Sequence, residues 1–143
     1  MCLKTVRSIV LNDKEILSGF ELNSWLNSLQ NKINNKVFFI YDSCGSGSFI
    51  NSLKSSFGNN RIVITSCSES ESAIFASNGT MSFSYFFWSN IFGGLNIAES
   101  FINASNSLSL SVRSQNPLID ANSNGIFNEK EDIKIVKDIF LNK

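Results

Sequence analysis

The chain has 143 residues, enough for one domain with one core, and 43% of them are hydrophobic, an ordinary share for a globular protein. Its formal net charge is zero, so the electrostatic footprint expected of a partner of nucleic acid or of an anionic membrane is missing. With no histidine anywhere, Ser-His-Asp chemistry, Cys-His chemistry within this chain and histidine metal sites are all excluded.

Three further absences bound the reading. No apolar run approaches the roughly 20 residues that span a bilayer. The opening Met1 to Glu15 has no apolar stretch of the kind that follows the charged start of a signal peptide, so no signal peptide is expected there. Cys2, Cys44 and Cys67 are an odd set with no C-x-x-C pair, which indicates neither a disulfide framework nor a zinc site. The 19 Asn and 25 Ser are not read as disorder, because apolar periodicity runs through them.

Leu22, Trp25, Leu26, Leu29 and Ile33 recur at helical spacing, which predicts an amphipathic helix over about 19–34. Val37 to Tyr41 is a continuous apolar run of strand length, as in a strand buried on both faces of a parallel sheet. After Asp42-Ser43-Cys44-Gly45-Ser46-Gly47-Ser48 a helix is predicted with Phe49, Ile50, Leu53 and Phe57 on one face. Arg61 to Thr65 is a second buried strand, and it ends in the polar stretch Ser66 to Ser72. Phe83, Phe86, Phe87 and Ile91 mark a helix closed by Gly93-Gly94. Ala98, Phe101, Ile102, Ser105 and Leu108 mark the next, and a last one is expected over about 129–142. Helix, strand, helix, strand is the order of an α/β sheet covered on both faces. Two or three strands are few for such a sheet, so the chain reads as part of a larger one or as a partner-dependent half.

In open α/β sheets chemistry gathers at the carboxyl ends of strands. Both strands end in Ser-rich loops, which should lie side by side. Cys44 sits there between a strand and glycines that let the backbone turn tightly. Ser48 is placed to cap the following helix, whose N-terminus would lower the thiol pKa, and nearby amides would serve an oxyanion. A small buried cysteine at a tight turn explains the same residues equally well. A phosphate cradle at Gly45-Ser46-Gly47-Ser48 explains them less well, since no third glycine or Lys-Ser/Thr pair follows. Cys67 reads as a packing residue, less accessible than Cys44.

Asp120-Ala121-Asn122-Ser123-Asn124-Gly125-Ile126-Phe127-Asn128-Glu129-Lys130-Glu131 has the spacing of the twelve-residue calcium loop. Asp120, Asn122 and Asn124 stand at positions one, three and five, and Gly125 makes the sharp turn at six. Ile126 supplies a carbonyl at seven, Asn128 acts through water at nine, and Glu131 at twelve is the bidentate carboxylate. Phe127 is expected to pack the loop. An Asn-rich turn before the last helix is the alternative. Pro117 interrupts any incoming helix, so a full EF-hand is not expected, and few formal charges imply modest affinity for Ca²⁺.

The block Tyr41-Asp42-Ser43-Cys44-Gly45-Ser46-Gly47-Ser48-Phe49 resembles the nucleophile block of the legumain (hemoglobinase) cysteine peptidases: apolar strand, acidic residue, small residue, Cys, any residue, Ser-Gly-Ser. Further blocks are similar in order. Glu15 to Gln30 looks like the helix before that strand, Arg61 to Ser66 with Ser70-Glu71-Ser72 like the next core strand and pocket loop, and Gly79 to Trp88 like the glycine-led start of the following helix in bacterial members. The likeness covers most of residues 11–131. It implies a caspase-like α/β/α sandwich with a mostly parallel sheet, truncated at the N-terminus, over residues 1–116, with 117–143 as a calcium-loop-like segment and helix packed on it. It also implies a cysteine endopeptidase acting on a peptide or protein substrate, with Cys44 as nucleophile and its N–H as one oxyanion donor. Gly45, Ser70, Glu71, Ser82 and Ser84 would then bind substrate. Two departures follow. The family's base, a His followed by Gly at the end of an upstream strand, has no counterpart, so the chain alone is expected to be inactive unless an upstream segment supplies it. Eukaryotic members place Glu directly after the nucleophile, where this chain has Gly45, so asparagine specificity does not carry over. A non-catalytic pseudo-peptidase binding a partner protein or calcium is the alternative. A calcium loop at this place suits an exported, extracytoplasmic parent protein.

Overall fold

The computed structural model describes residues 8–111 and 114–141, and it is a mixed α/β fold. The described residues open with an antiparallel hairpin, β1 (Ser8–Asn12) and β2 (Glu15–Ser18). Helix α1 (Gly19–Gln30) starts on Ser18, whose Oγ accepts the Glu21 N–H while the Glu21 carboxylate reaches back to Ser18, a capping box. It ends at Gln30, four residues before the boundary predicted from periodicity. Strand β3 (Val37–Tyr41) follows, then a short α2 (Ser48–Ser52) and β4 (Arg61–Thr65). Next come α3 (Phe83–Phe92), α4 (Ile97–Ser111), the three-residue β5 (Leu118–Asp120) and α5 (Lys130–Val136). The last helix is thus much shorter than the expected 129–142, of which 142 lies outside the described residues.

The main sheet has the order β3-β4-β5. β3 and β4 are parallel, in register from Val37 opposite Arg61 to Tyr41 opposite Thr65. β5 runs antiparallel to β4, with Asp120 opposite Val63 and Leu118 opposite Thr65. Side chains alternate across the sheet with the strand period of two. Ile62, Ile64, Ile119, Phe38 and Ile40 enter the core built by α3, α4 and Val136 of α5. Val63, Leu118, Phe39 and Tyr41 face the other way, onto Phe49, Ile50, Leu53 and the inward residues of α1, Leu22 and Leu26. The sheet is therefore covered on both faces. Segment 118–136 belongs to the same core as the helices before it, because Ile119, Ala121 and Val136 lie among Phe83, Phe87 and Leu108.

Helix α1 docks by only part of its apolar stripe, Leu22 and Leu26. Trp25 and Leu29 are 60% and 43% exposed. The helix also presents Asn23, Asn27 and Gln30, one face at helical spacing, to a fully buried Arg61 at the start of β4. Among the described residues strand β3 is hydrogen-bonded to another strand on one side only, and all five of its residues are half-buried where those of β4 are fully buried. Among the described residues no helix is long and apolar enough to cross a membrane.

Candidate functional site

The loops that leave β3 and β4 pack against each other, as two parallel neighbours require. The Ser66 N–H donates to the Tyr41 carbonyl at 3.1 Å, and Ser46, fully buried, places its Oγ 3.3 Å from the Cys67 N–H, which it accepts. Gly45 has φ +65°, and its N–H donates to the Glu71 carbonyl at 2.8 Å. Gly47 is needed for closeness: a Cβ there would lie 2.7 Å from the Cys67 carbonyl oxygen and 2.8 Å from Leu118 Cδ1. On this braced turn Cys44 is exposed, its Sγ 3.9 Å from the Ala73 carbonyl oxygen. Cys67 is fully buried, with its thiol on the carbonyls of Ser43 at 3.2 Å and Glu71 at 3.4 Å. The expected contrast between the two cysteines is present; Cys2 lies outside the described residues.

One expected source of thiol activation is missing. Gly47, not Ser48, stands before α2, no side chain caps it, and the helix is only five residues long. A single helical turn offers little aligned dipole. The Gly45 N–H, spent on Glu71, is not a free oxyanion donor either.

The five residues expected to bind substrate fall into two groups. Ser82 and Ser84 stand at the start of α3 and line a groove of about 470 Å³ with Thr80, Tyr85, Trp88 and Phe92. Ser82 is itself nearly buried and caps α3, accepting the Tyr85 N–H at 3.2 Å. The Ser84 N–H donates to Asp42 Oδ2 at 2.9 Å, which ties the start of α3 to the turn that carries Cys44. The other Asp42 oxygen is buried with no partner. Gly45, Ser70 and Glu71 do not line that groove. Ser70 is exposed, and the Glu71 carboxylate is occupied by its own chain, accepting the N–H groups of Ser68 and Asn116, each at 2.9 Å, and the Asn116 side-chain amide at 2.5 Å. Burial alone would raise its pKa, but these hydrogen bonds outweigh it and hold the carboxyl below its ordinary value. Gln115 completes the brace, donating to the Ser66 carbonyl at 2.9 Å and accepting the Ile74 N–H at 3.0 Å. The sequence reading missed Gln115 and Asn116, whose only signal is their place just before Pro117.

The Asp120 loop is held by backbone amides. Asp120, 1% exposed, accepts the Gly125 N–H on Oδ2 at 2.8 Å, and its Oδ1 is buried without a partner. Asn122 Oδ1 accepts the Asn124 N–H and Asn124 Oδ1 accepts the Ile126 N–H, at 3.0 and 2.6 Å. Gly125 has φ +79°, and a Cβ there would meet the Lys54 stem at 2.6 Å. Two expected ligands are engaged elsewhere. Asn128 turns back to β5, accepting the Ile119 N–H at 3.0 Å and donating to the Pro117 carbonyl at 3.2 Å. Glu131 is exposed and pairs with Lys134 at 3.3 Å. The inward carboxylate of that turn is Asp132, fully buried, which accepts the N–H groups of Ala121 and Glu129, each at 2.8 Å. Phe127 is 47% exposed and does not pack the loop as expected, and Ile126 is 57% exposed. Burial raises the pKa of both Asp120 and Asp132. Among the described residues no three His, Cys, Asp or Glu side chains are grouped to hold a metal ion.

No family model matches the chain, and no curated protein matches it.

Proposed function

We propose that this chain is the nucleophile-bearing part of a legumain-type, caspase-like cysteine endopeptidase domain, inactive alone because the base is missing. The observation that carries the reading is the exposed Cys44, held on a glycine turn at the carboxyl end of β3 and braced by the loop after β4. The edge of β3 that no strand of the described residues covers supports it as well, since a further strand paired there would bring its own carboxyl end beside Cys44 if it ran parallel. The likeness of the Asp42 to Phe49 block to the family's nucleophile block supplies the reaction class.

The chemistry would run through the Cys44 thiolate. Attack on the scissile carbonyl forms a C–S bond, and the amine leaves with a proton as the C–N bond breaks. Water then hydrolyses the thioester. A positioned imidazole that delivers and removes these protons is typically worth about 10²–10⁴ in rate. One oxyanion donor is worth about 10²–10³. The chain has no histidine for the first role, and a His-Gly strand end would bring both.

The test is a panel of peptides with varied residues before the scissile bond. The 143-residue chain alone should give no turnover. Fusion or co-expression with an upstream strand ending in His-Gly should give turnover that disappears in Cys44→Ala. Cys44-dependent turnover by the chain alone would refute the missing-base reading. No turnover from any folded, completed assembly would favour the alternative, a non-catalytic module that binds a partner through the same face. The self-occupied Glu71 carboxylate is the feature that favours this alternative.

A further inference from the structure

We propose that the loop beginning at Asp120 is a Ca²⁺ site closed by Glu129, not by the Glu131 that its sequence spacing selects. The starting point is the buried Asp120 carboxylate. Its Oδ2 accepts the Gly125 N–H at 2.8 Å, which turns the carboxylate toward the turn at the tip of the loop. Oδ1 has no partner, although the residue is 1% exposed. A buried carboxylate oxygen without a donor is costly, and a hard cation would satisfy it. Asn122 Oδ1 and Asn124 Oδ1 each accept one backbone N–H, which leaves each amide oxygen a second lone pair. The carboxylate tied to both of these side chains is Glu129, whose Oε2 accepts from Asn124 Nδ2 at 2.7 Å and from Asn122 Nδ2 at 3.5 Å. Glu131 points to solvent and to Lys134.

The donors are all oxygens and mix carboxylate with amide, a set that suits calcium and its tolerance of irregular coordination. Magnesium demands a stricter octahedron. With two carboxylates and two neutral amides as side-chain donors the loop carries few formal charges, so the expected affinity is in the weak class of about 10⁻⁴–10⁻³ M.

The experiment is calorimetric titration of the chelator-treated chain with CaCl₂ and, separately, MgCl₂, with melting temperature followed in parallel. One Ca²⁺ per chain is expected, with magnesium about tenfold weaker or worse and a melting temperature that rises with calcium by mass action. Glu129→Gln should weaken calcium by about tenfold or more, and Glu131→Gln should leave it unchanged. Asp120→Asn should abolish it, with circular dichroism to establish that the variant is folded. If Asp120→Asn does not fold, the Glu129/Glu131 pair decides. The proposal is overturned by no heat and no melting shift at millimolar calcium, by an equal response to magnesium, by calcium binding to folded Asp120→Asn, or by loss in Glu131→Gln with retention in Glu129→Gln. None of these outcomes depends on whether Cys44 is a nucleophile.

Discussion

Arg61 is fully buried and its hydrogen-bond partners are neutral oxygens. Its Nε donates to Gln30 Oε1 at 2.6 Å, Nη1 to Asn23 Oδ1 at 2.6 Å, and Nη2 to Asn27 Oδ1 at 2.8 Å. The Phe57 ring lies 5.7 Å from the guanidinium carbon. Burial pushes the pKa of the group down, yet a guanidinium stays charged in any folded protein. The arrangement therefore depends on three side-chain amides of α1 meeting one planar fork. Arg61→Met removes the fork and strands those amides. It should cost at least about 3 kcal/mol, since each hydrogen bond to a charged group is worth about 1.5–3 kcal/mol and the losses overlap. Arg61→Lys should recover little, because an ammonium does not reproduce the fork. Urea midpoints measure both, and a loss under about 1 kcal/mol for Arg61→Met would show that the amides find other partners.

Between strands, the loop after β4 is fixed by Glu71, and this gives it a pH dependence of known sign. The folded pKa of Glu71 lies below its ordinary value. Its contribution to stability is therefore fully present above the unfolded pKa, near 4.5, and is lost as pH falls through the lower folded value. Wild type should lose urea resistance on acidification below that point, and Glu71→Gln should lose measurably less over the same interval. Equal acid sensitivity in the two proteins would remove Glu71 from the account. The side-by-side placement of this loop and the Cys44 turn was legible from two apolar runs that each end in Ser-rich stretches. The brace was not, because it comes from Gln115 and Asn116, more than 40 residues downstream. The β1–β2 hairpin escaped notice because its turn, Asp13-Lys14, lacks the glycine that usually announces one. Strand β5 escaped because three residues set no period. The amphipathic pattern of α1 located Leu22 and Leu26 against the core, but it gave no sign that a buried arginine would recruit Asn23, Asn27 and Gln30 as well.

At the scale of the molecule, the α/β class followed from the alternation of long apolar runs, and the sheet is as short as the sequence implied. Its central strand is paired on both sides, while among the described residues no strand covers the other edge of β3. The antiparallel pairing of β5 with β4 also bears on the order of folding. Thr65 and Leu118 are register partners, yet the whole α3–α4 hairpin separates them along the chain. Contacts within that hairpin close a short loop, whereas the β4–β5 ladder closes a long one, and long closures cost more entropy. We infer that β5 docks after the rate-limiting barrier has been crossed. Ile119→Val, at a fully buried position, should then accelerate unfolding by nearly all of its equilibrium cost and leave the refolding rate almost untouched. A refolding arm slowed by most of that cost would place β5 in the nucleus instead. On the inferred order, the Asp120 loop takes its shape last, and a newly made chain would acquire any affinity for a cation only at the end of its folding.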